Sequence, residues 1–141
     1  MRAKDILEIK GRDVVTVSPE AALHTAIETL AERNIGAVVV VGEGRVVGIL
    51  SERDVVRLLA GAPTGFRESR IDALMTKDPV TVRETATIDE IKDLMTERRI
   101  RHLPVVEGDR LVGILSIGDV VKHRIRAARE EAEALKGYIQ G

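Results

Sequence analysis

Two seven-residue segments hold the residues whose types and spacing suit them to chemistry: Gly48-Ile49-Leu50-Ser51-Glu52-Arg53-Asp54 and Gly113-Ile114-Leu115-Ser116-Ile117-Gly118-Asp119. In each, an apolar run ends in a serine, and an aspartate follows three residues later. The serine is expected at a helix N-cap, where free N–H groups and the helix dipole gather positive potential. Such a position holds phosphate, and the hydroxyl adds a hydrogen bond. The aspartate one turn on has two acceptor oxygens, suited to the vicinal hydroxyls of a ribose. Gly48 and Gly113 are expected to let a ligand approach the backbone. A plainer reading stands beside this one. Ser-x-x-Asp is also an ordinary cap, in which both side chains satisfy N–H groups of the first turn. Removing a cap serine costs about 1 kcal/mol of stability; removing a ribose contact costs binding and leaves the fold intact.

The elements that must position these residues are duplicated. Residues 14–59 lie on residues 79–124 at a constant offset of 65 without a gap. Val15-Thr16-Val17 falls on Val80-Thr81-Val82, Glu32-Arg33 on Glu97-Arg98, and Asp54-Val55-Val56 on Asp119-Val120-Val121. Each copy opens with a short β-rich segment (Val14–Val17; Val80–Val82). A helix follows, with apolar residues at helical spacing: Leu23, Ala26, Ile27 and Leu30, then Ile88, Ile91, Leu94 and Met95. Thr87 with Glu90 forms a capping-box signature. Two strands come next, Ala37–Val41 and Val46–Leu50, joined by Gly42-Glu43-Gly44; the second copy turns at Glu107-Gly108-Asp109. Pro104 stands near the start of its strand, where a missing N–H is tolerated. A second helix begins after Ser51 and Ser116. The fold class is therefore mixed α/β (α+β), a β-α-β-β-α unit used twice. The expected boundaries are 1–62, 63–124, and 125–141 for a helical extension. Residues 60–74, with Gly61, Pro63 and Gly65, read as the linker between copies. Residues 4–10 read as a short helix closing over the domain.

The last helix runs on past the second copy. Val121, Ile125, Ala128, Ala132, Leu135 and Ile139 form a heptad-like stripe. It meets either the protein's own body or the same helix of a second chain.

Composition narrows the function. The chain has 141 residues, 44% of them apolar, a net charge of −1 and only Phe66 and Tyr138 as aromatics. Interspersed charge without a basic stripe argues against nucleic-acid binding. Without Cys there is neither disulfide nor thiolate chemistry. No spanning segment or signal peptide stands out, which makes the cytoplasm the expected compartment. His24, His102 and His123 lack ligand spacing, so no metal site is expected. His24 and His123 read as solvated, and His102 as the one near a binding surface. No catalytic set emerges, and the chain reads as a non-enzyme.

The repeat and both seven-residue motifs resemble the cystathionine-β-synthase domain (CBS domain) family, whose members occur as tandem pairs. The resemblance covers about residues 5–124. It implies two units related by a pseudo-twofold axis, with two clefts between them that bind AMP, ADP, ATP, NAD(H) or S-adenosylmethionine as regulatory ligands. One cleft would use Ile114, Ser116 and Asp119, with an adenine wall from Val14, Val15, Ile35 and Gly36. The other would use Leu50, Ser51, Arg53 and Asp54, completed by Thr76, Pro79, Val80, Ile100, Arg101 and His102. Arg53 faces Gly118 in the alignment of the copies, and Arg101 and His102 face Gly36 and Ala37. The second cleft is therefore richer in cations and is expected to prefer the more phosphorylated ligand, although Arg53 also reads as a solvated charge. The function so implied is a regulatory module, a homodimer, acting on a separate protein. The alternative is a ligand-free dimerisation module.

Overall fold

The computed structural model describes residues 1–61 and 64–140. The chain divides into two compact units. One comprises Asp13–Val80 with Val106–Val112; the other comprises Met1–Arg12, Thr81–Val105 and Gly113–Gly141. They are called here the first-copy and second-copy units.

The first-copy unit is built on a four-stranded sheet of β1 (Thr16–Val17), β2 (Ala37–Gly42), β3 (Arg45–Ser51) and β4 (Thr76–Lys77), in that order. β1 runs parallel to β2, while β2–β3 and β3–β4 are antiparallel. Glu43 (φ 53°) and Gly44 (φ 77°) make the β2–β3 turn. Two successive positive φ values match the right-handed twist of the strands they join. Helix α2 (Leu23–Arg33) buries Leu23, Ala26 and Leu30, the spacing expected of one helical face. These residues join Val38, Val40, Leu50 and Ile71 in the core. Helix α3 (Glu52–Gly61) follows β3 without a break.

Part of the segment expected to be a linker is structural. Phe66–Glu68 forms a 3-10 turn, and α4 (Ile71–Leu74) packs on the first copy. Ile71 is fully buried. Its N–H donates to Ala21 O at 2.8 Å, and Leu23 N–H donates to Ser69 O at 2.9 Å. An isoleucine among the turn residues supplies the apolar surface that a free linker lacks. Pro63 and the expected boundary at residues 62–63 lie outside the described residues.

The second-copy unit begins with helix α1 (Ala3–Lys10), which stands to the second copy as α4 stands to the first. Arg2 pairs with Thr87 as Arg70 pairs with Ala22. Ala3 N–H donates to Ala86 O at 2.8 Å, and Ile88 N–H donates to Met1 O at 3.0 Å. Ala3, Ile6 and Leu7 are buried. Helix α5 (Ile88–Arg98) buries Ile88, Ile91 and Met95. Its capping box forms as expected: Glu90 N–H donates to Thr87 Oγ1 at 3.2 Å, and Thr87 N–H to Glu90 Oε2 at 3.2 Å. β5 (His102–Glu107) and β6 (Arg110–Ser116) pair as a hairpin, whose tip, Val106–Val112, is counted in the first-copy unit. The opening strand expected at Val80–Val82 shrinks to a single bridge from Val82 to Val105.

Helix α6 (Ile117–Gln140) spans 24 residues. Arg124 reaches Asp89 of α5 at 3.2 Å. The stripe does not pack on the described part of the chain: Val121, Ile125, Leu135 and Ile139 are all exposed. No helix among the described residues is long and apolar enough to cross a membrane.

Candidate functional site

Each strand-to-helix junction places its serine at the last strand position and its aspartate in the first helical turn. At the first junction Ser51 N–H donates to Asp54 Oδ2 at 2.9 Å, and Asp54 N–H donates to Ser51 Oγ at 3.2 Å. At the second, Ser116 N–H donates to Asp119 Oδ2 at 2.8 Å, and Asp119 N–H donates to Ser116 Oγ at 3.1 Å. Both are reciprocal caps, so the plainer reading of Ser-x-x-Asp is realised twice. The caps use one carboxylate oxygen each. Among the described residues no hydrogen bond falls on Oδ1 of either aspartate.

The second oxygen contact differs. Ser51 Oγ–H donates to Asp54 Oδ2 at 2.9 Å. At Asp119 that place is taken by Lys10, whose Nζ lies 2.6 Å from Oδ2 and 2.9 Å from Ile114 O. Burial disfavours the charged form of Asp119. The Lys10 and Ser116 hydrogen bonds and the lysine's charge outweigh it and hold the carboxyl below its usual range. Lys10 was not among the expected site residues. It sits at the end of a short helix 109 residues away in sequence, and no local spacing marks it.

The motif glycines do not leave room for a ligand. A Cβ on Gly48 would lie 2.2 Å from Met75 Sδ, and one on Gly113 would lie 2.5 Å from Leu7 Cδ2. The missing side chain admits a neighbouring apolar side chain in each copy, not a bound molecule.

The other expected site residues distribute as follows. Leu50 is wholly buried in the core, so its side chain packs and does not line a surface. Val15 and Ile35 are half-buried against the same core. Gly36 O accepts Glu52 N–H at 2.9 Å, which sets Gly36 beside the Ser51 junction. Arg101 O accepts Ile117 N–H at 2.8 Å, which sets Arg101 beside the Ser116 junction. Thr76 pairs with Ile49 across β3–β4. Arg53 is exposed, Ile100, His102 and Ile114 are half-buried, and Val14, Pro79 and Val80 lie in the first-copy unit outside regular structure. Each expected grouping draws on both units: Ile114, Ser116 and Asp119 belong to one, and Val14, Val15, Ile35 and Gly36 to the other.

His24 sits on the surface of α2, 3.7 Å from Glu28. His123 departs from expectation. It is buried, and its Nδ1 has no hydrogen-bond partner among the described residues. It occupies an inward position of α6, because the alignment sets it on Leu58, which packs against the first copy's core. Among the described residues no three His, Cys, Asp or Glu side chains converge at metal-binding distance. A surface hollow of about 310 Å³, with Arg2, Thr87, Asp89, Arg124 and Glu131 in its lining, contains none of the expected residues.

Comparison with known proteins bears on this arrangement. The chain matches the family model for the CBS domain over residues 3–61 and 71–126. It is 31% identical over 146 residues to the mitochondrial CBS domain-containing protein CBSX3 of Arabidopsis thaliana, covering 97% of this chain and 71% of that protein. Its fold is similar to the crystal structure of a CBS-domain protein of Agrobacterium tumefaciens, with a TM-score of 0.83, 46% identity, and coverage of 88% of this chain and 99% of that one. It is also similar to the CBS domain pair of protein MJ0100, solved with 5′-methylthioadenosine and S-adenosyl-L-methionine. There the TM-score is 0.77 at 27% identity, covering 92% of this chain and 98% of that one.

Proposed function

This chain belongs to the CBS domain family, and from that premise we propose that it is a regulatory module binding adenosine-containing ligands (AMP, ADP, ATP, NAD(H) or S-adenosylmethionine) at its two strand-to-helix junctions. The observation that carries this reading is the duplicated Ser/Asp cap whose aspartate keeps one oxygen open at a helix N-terminus. Oδ1 of Asp54 or Asp119 accepts from a ribose hydroxyl, while the positive end of the helix dipole favours the ligand's negative charge. The similarity to a CBS pair solved with two adenosyl compounds supports the ligand class. Ligand binding biases the module only through its different affinities for two states, and a separate protein reads the result.

Thermal unfolding with AMP, ATP, NADH and S-adenosylmethionine tests this. A true ligand at 100 times its dissociation constant adds about 2.7 kcal/mol to the unfolding free energy. The gain should shrink in the Asp54→Asn, Asp119→Asn double variant, read against that variant's own ligand-free unfolding, which the weakened caps and the lost Lys10 pair also lower. The absence of a shift with every adenosyl compound favours the second reading, a dimerisation module. The exposed heptad-like stripe on α6 supports that alternative. In either reading a second copy covers the stripe.

A further inference from the structure

We propose that Lys10 is a built-in competitor for the Asp119 carboxylate, which sets the affinity of the second junction for a ribose diol below that of the first. The inference rests on the reading of the junctions as adenosyl sites. A vicinal diol engages a carboxylate best by donating one hydroxyl to each oxygen. In both junctions Oδ2 already accepts two donors. At the first these are Ser51 N–H and Ser51 Oγ–H; at the second they are Ser116 N–H and Lys10 Nζ.

The difference lies in what it takes to release the second donor. The Ser51 hydroxyl is neutral and turns about a single bond toward an incoming ligand. Lys10 holds Asp119 through a charge-assisted bond, and such bonds are about twice as strong as neutral ones. A further bond to Ile114 O anchors the ammonium. The lysine is therefore the harder donor to displace. Its side chain retains 30% exposure and that of Asp119 21%. Partial contact with water keeps the pair within the modest range of solvent-accessible ion pairs, so a ligand can displace it.

The device is specific to one junction. Leu7 fills the space over Gly113, and Met75 fills the space over Gly48. The segments then diverge: α1 continues as helix to Lys10, whereas the chain after Met75 turns into β4 (Thr76–Lys77), and among the described residues the hydrogen bonds at Asp54 come from Ser51 alone.

Titration with adenosine, an uncharged probe, tests the proposal. The full chain carrying Asp54→Ala isolates the second junction, and Asp54→Asn serves in its place if the first variant fails to fold. In that background Lys10→Met should tighten adenosine binding about two- to fivefold, and Lys10→Arg should leave it unchanged. With Lys10 present, rising NaCl should also tighten adenosine binding, because salt screens the competing ion pair; in the Lys10→Met variant the affinity should not change with salt. A neutral probe has no charge of its own for salt to screen. Equal binding by all Lys10 variants, weaker binding by Lys10→Met, or binding seen only with Asp54 intact overturns the lysine's role and leaves the junction reading standing. No binding to any chain, including one with both aspartates, overturns the junction reading and this proposal together.

Discussion

The junctions at Ser51–Asp54 and Ser116–Asp119 share their backbone caps almost bond for bond, yet their copies differ in three places. Met75 covers Gly48, whereas Leu7 covers Gly113. Ala22 starts α2 without a side-chain cap, whereas Thr87 starts α5 with a full capping box. Leu58 packs inward from α3, whereas His123 does so from α6. The repeat preserves what the backbone needs and varies what the side chains do. One duplicated frame thus carries two junctions with different neighbours. The junction with the bound lysine belongs to the copy with the buried imidazole, and its carboxylate is held ionised by that lysine.

The glycines offer the largest test of the comparison. Both Gly→Ala changes overpack, a class of change that costs about 1–3 kcal/mol. Met75 is unbranched and half-buried and can turn aside, whereas Leu7 is branched and fully buried. Gly113→Ala should therefore lower the midpoint of chemical denaturation clearly more than Gly48→Ala. The reverse order would mean that the two pockets over the glycines are not the unequal pair described above.

The helix starts come next. Thr87→Ala should cost about 1 kcal/mol, and Ala22→Thr should recover part of that in the other copy. Denaturant melts of the two single variants and the double variant read both effects. A double-variant shift equal to the sum of the two single shifts would show that the caps act independently, and a departure from that sum would show that they are coupled.

The smallest effect concerns pH. Burial first, then the positive charge of Lys122, pulls the His123 imidazole below its ordinary range; Arg126 and Lys10 act in the same direction, and Asp119 opposes them. The unfolded chain then takes up a proton that the folded chain resists. Stability from this group is complete above about pH 6.5 and declines as the pH falls below it. His123→Leu, which copies the residue at position 58, should flatten that decline. An unchanged pH profile of unfolding would remove His123 as its source.

Much of the architecture was legible because it is written in short-range codes. Helical periodicity marked Leu23, Ala26 and Leu30. The reciprocal Thr87 and Glu90 spacing marked a cap, and Glu43-Gly44 marked a turn that needs positive φ. The Ser-x-x-Asp caps were legible for the same reason, since both partners lie within one turn. Residues 66–74 misled because glycines and polar residues around them hid the single buried Ile71.

What the amino-acid order determined alone was the duplicated unit, its element types and the two aspartates at helix starts, because each depends on residues within a few positions of one another. Only the tertiary structure decided which leading segment packs on which copy. That choice brought Lys10 to Asp119, Leu7 to Gly113, Met75 to Gly48 and His123 into an interior. These contacts join side chains separated by tens of residues or more, and van der Waals fit and charge pairing at such separations leave no periodic trace in the chain.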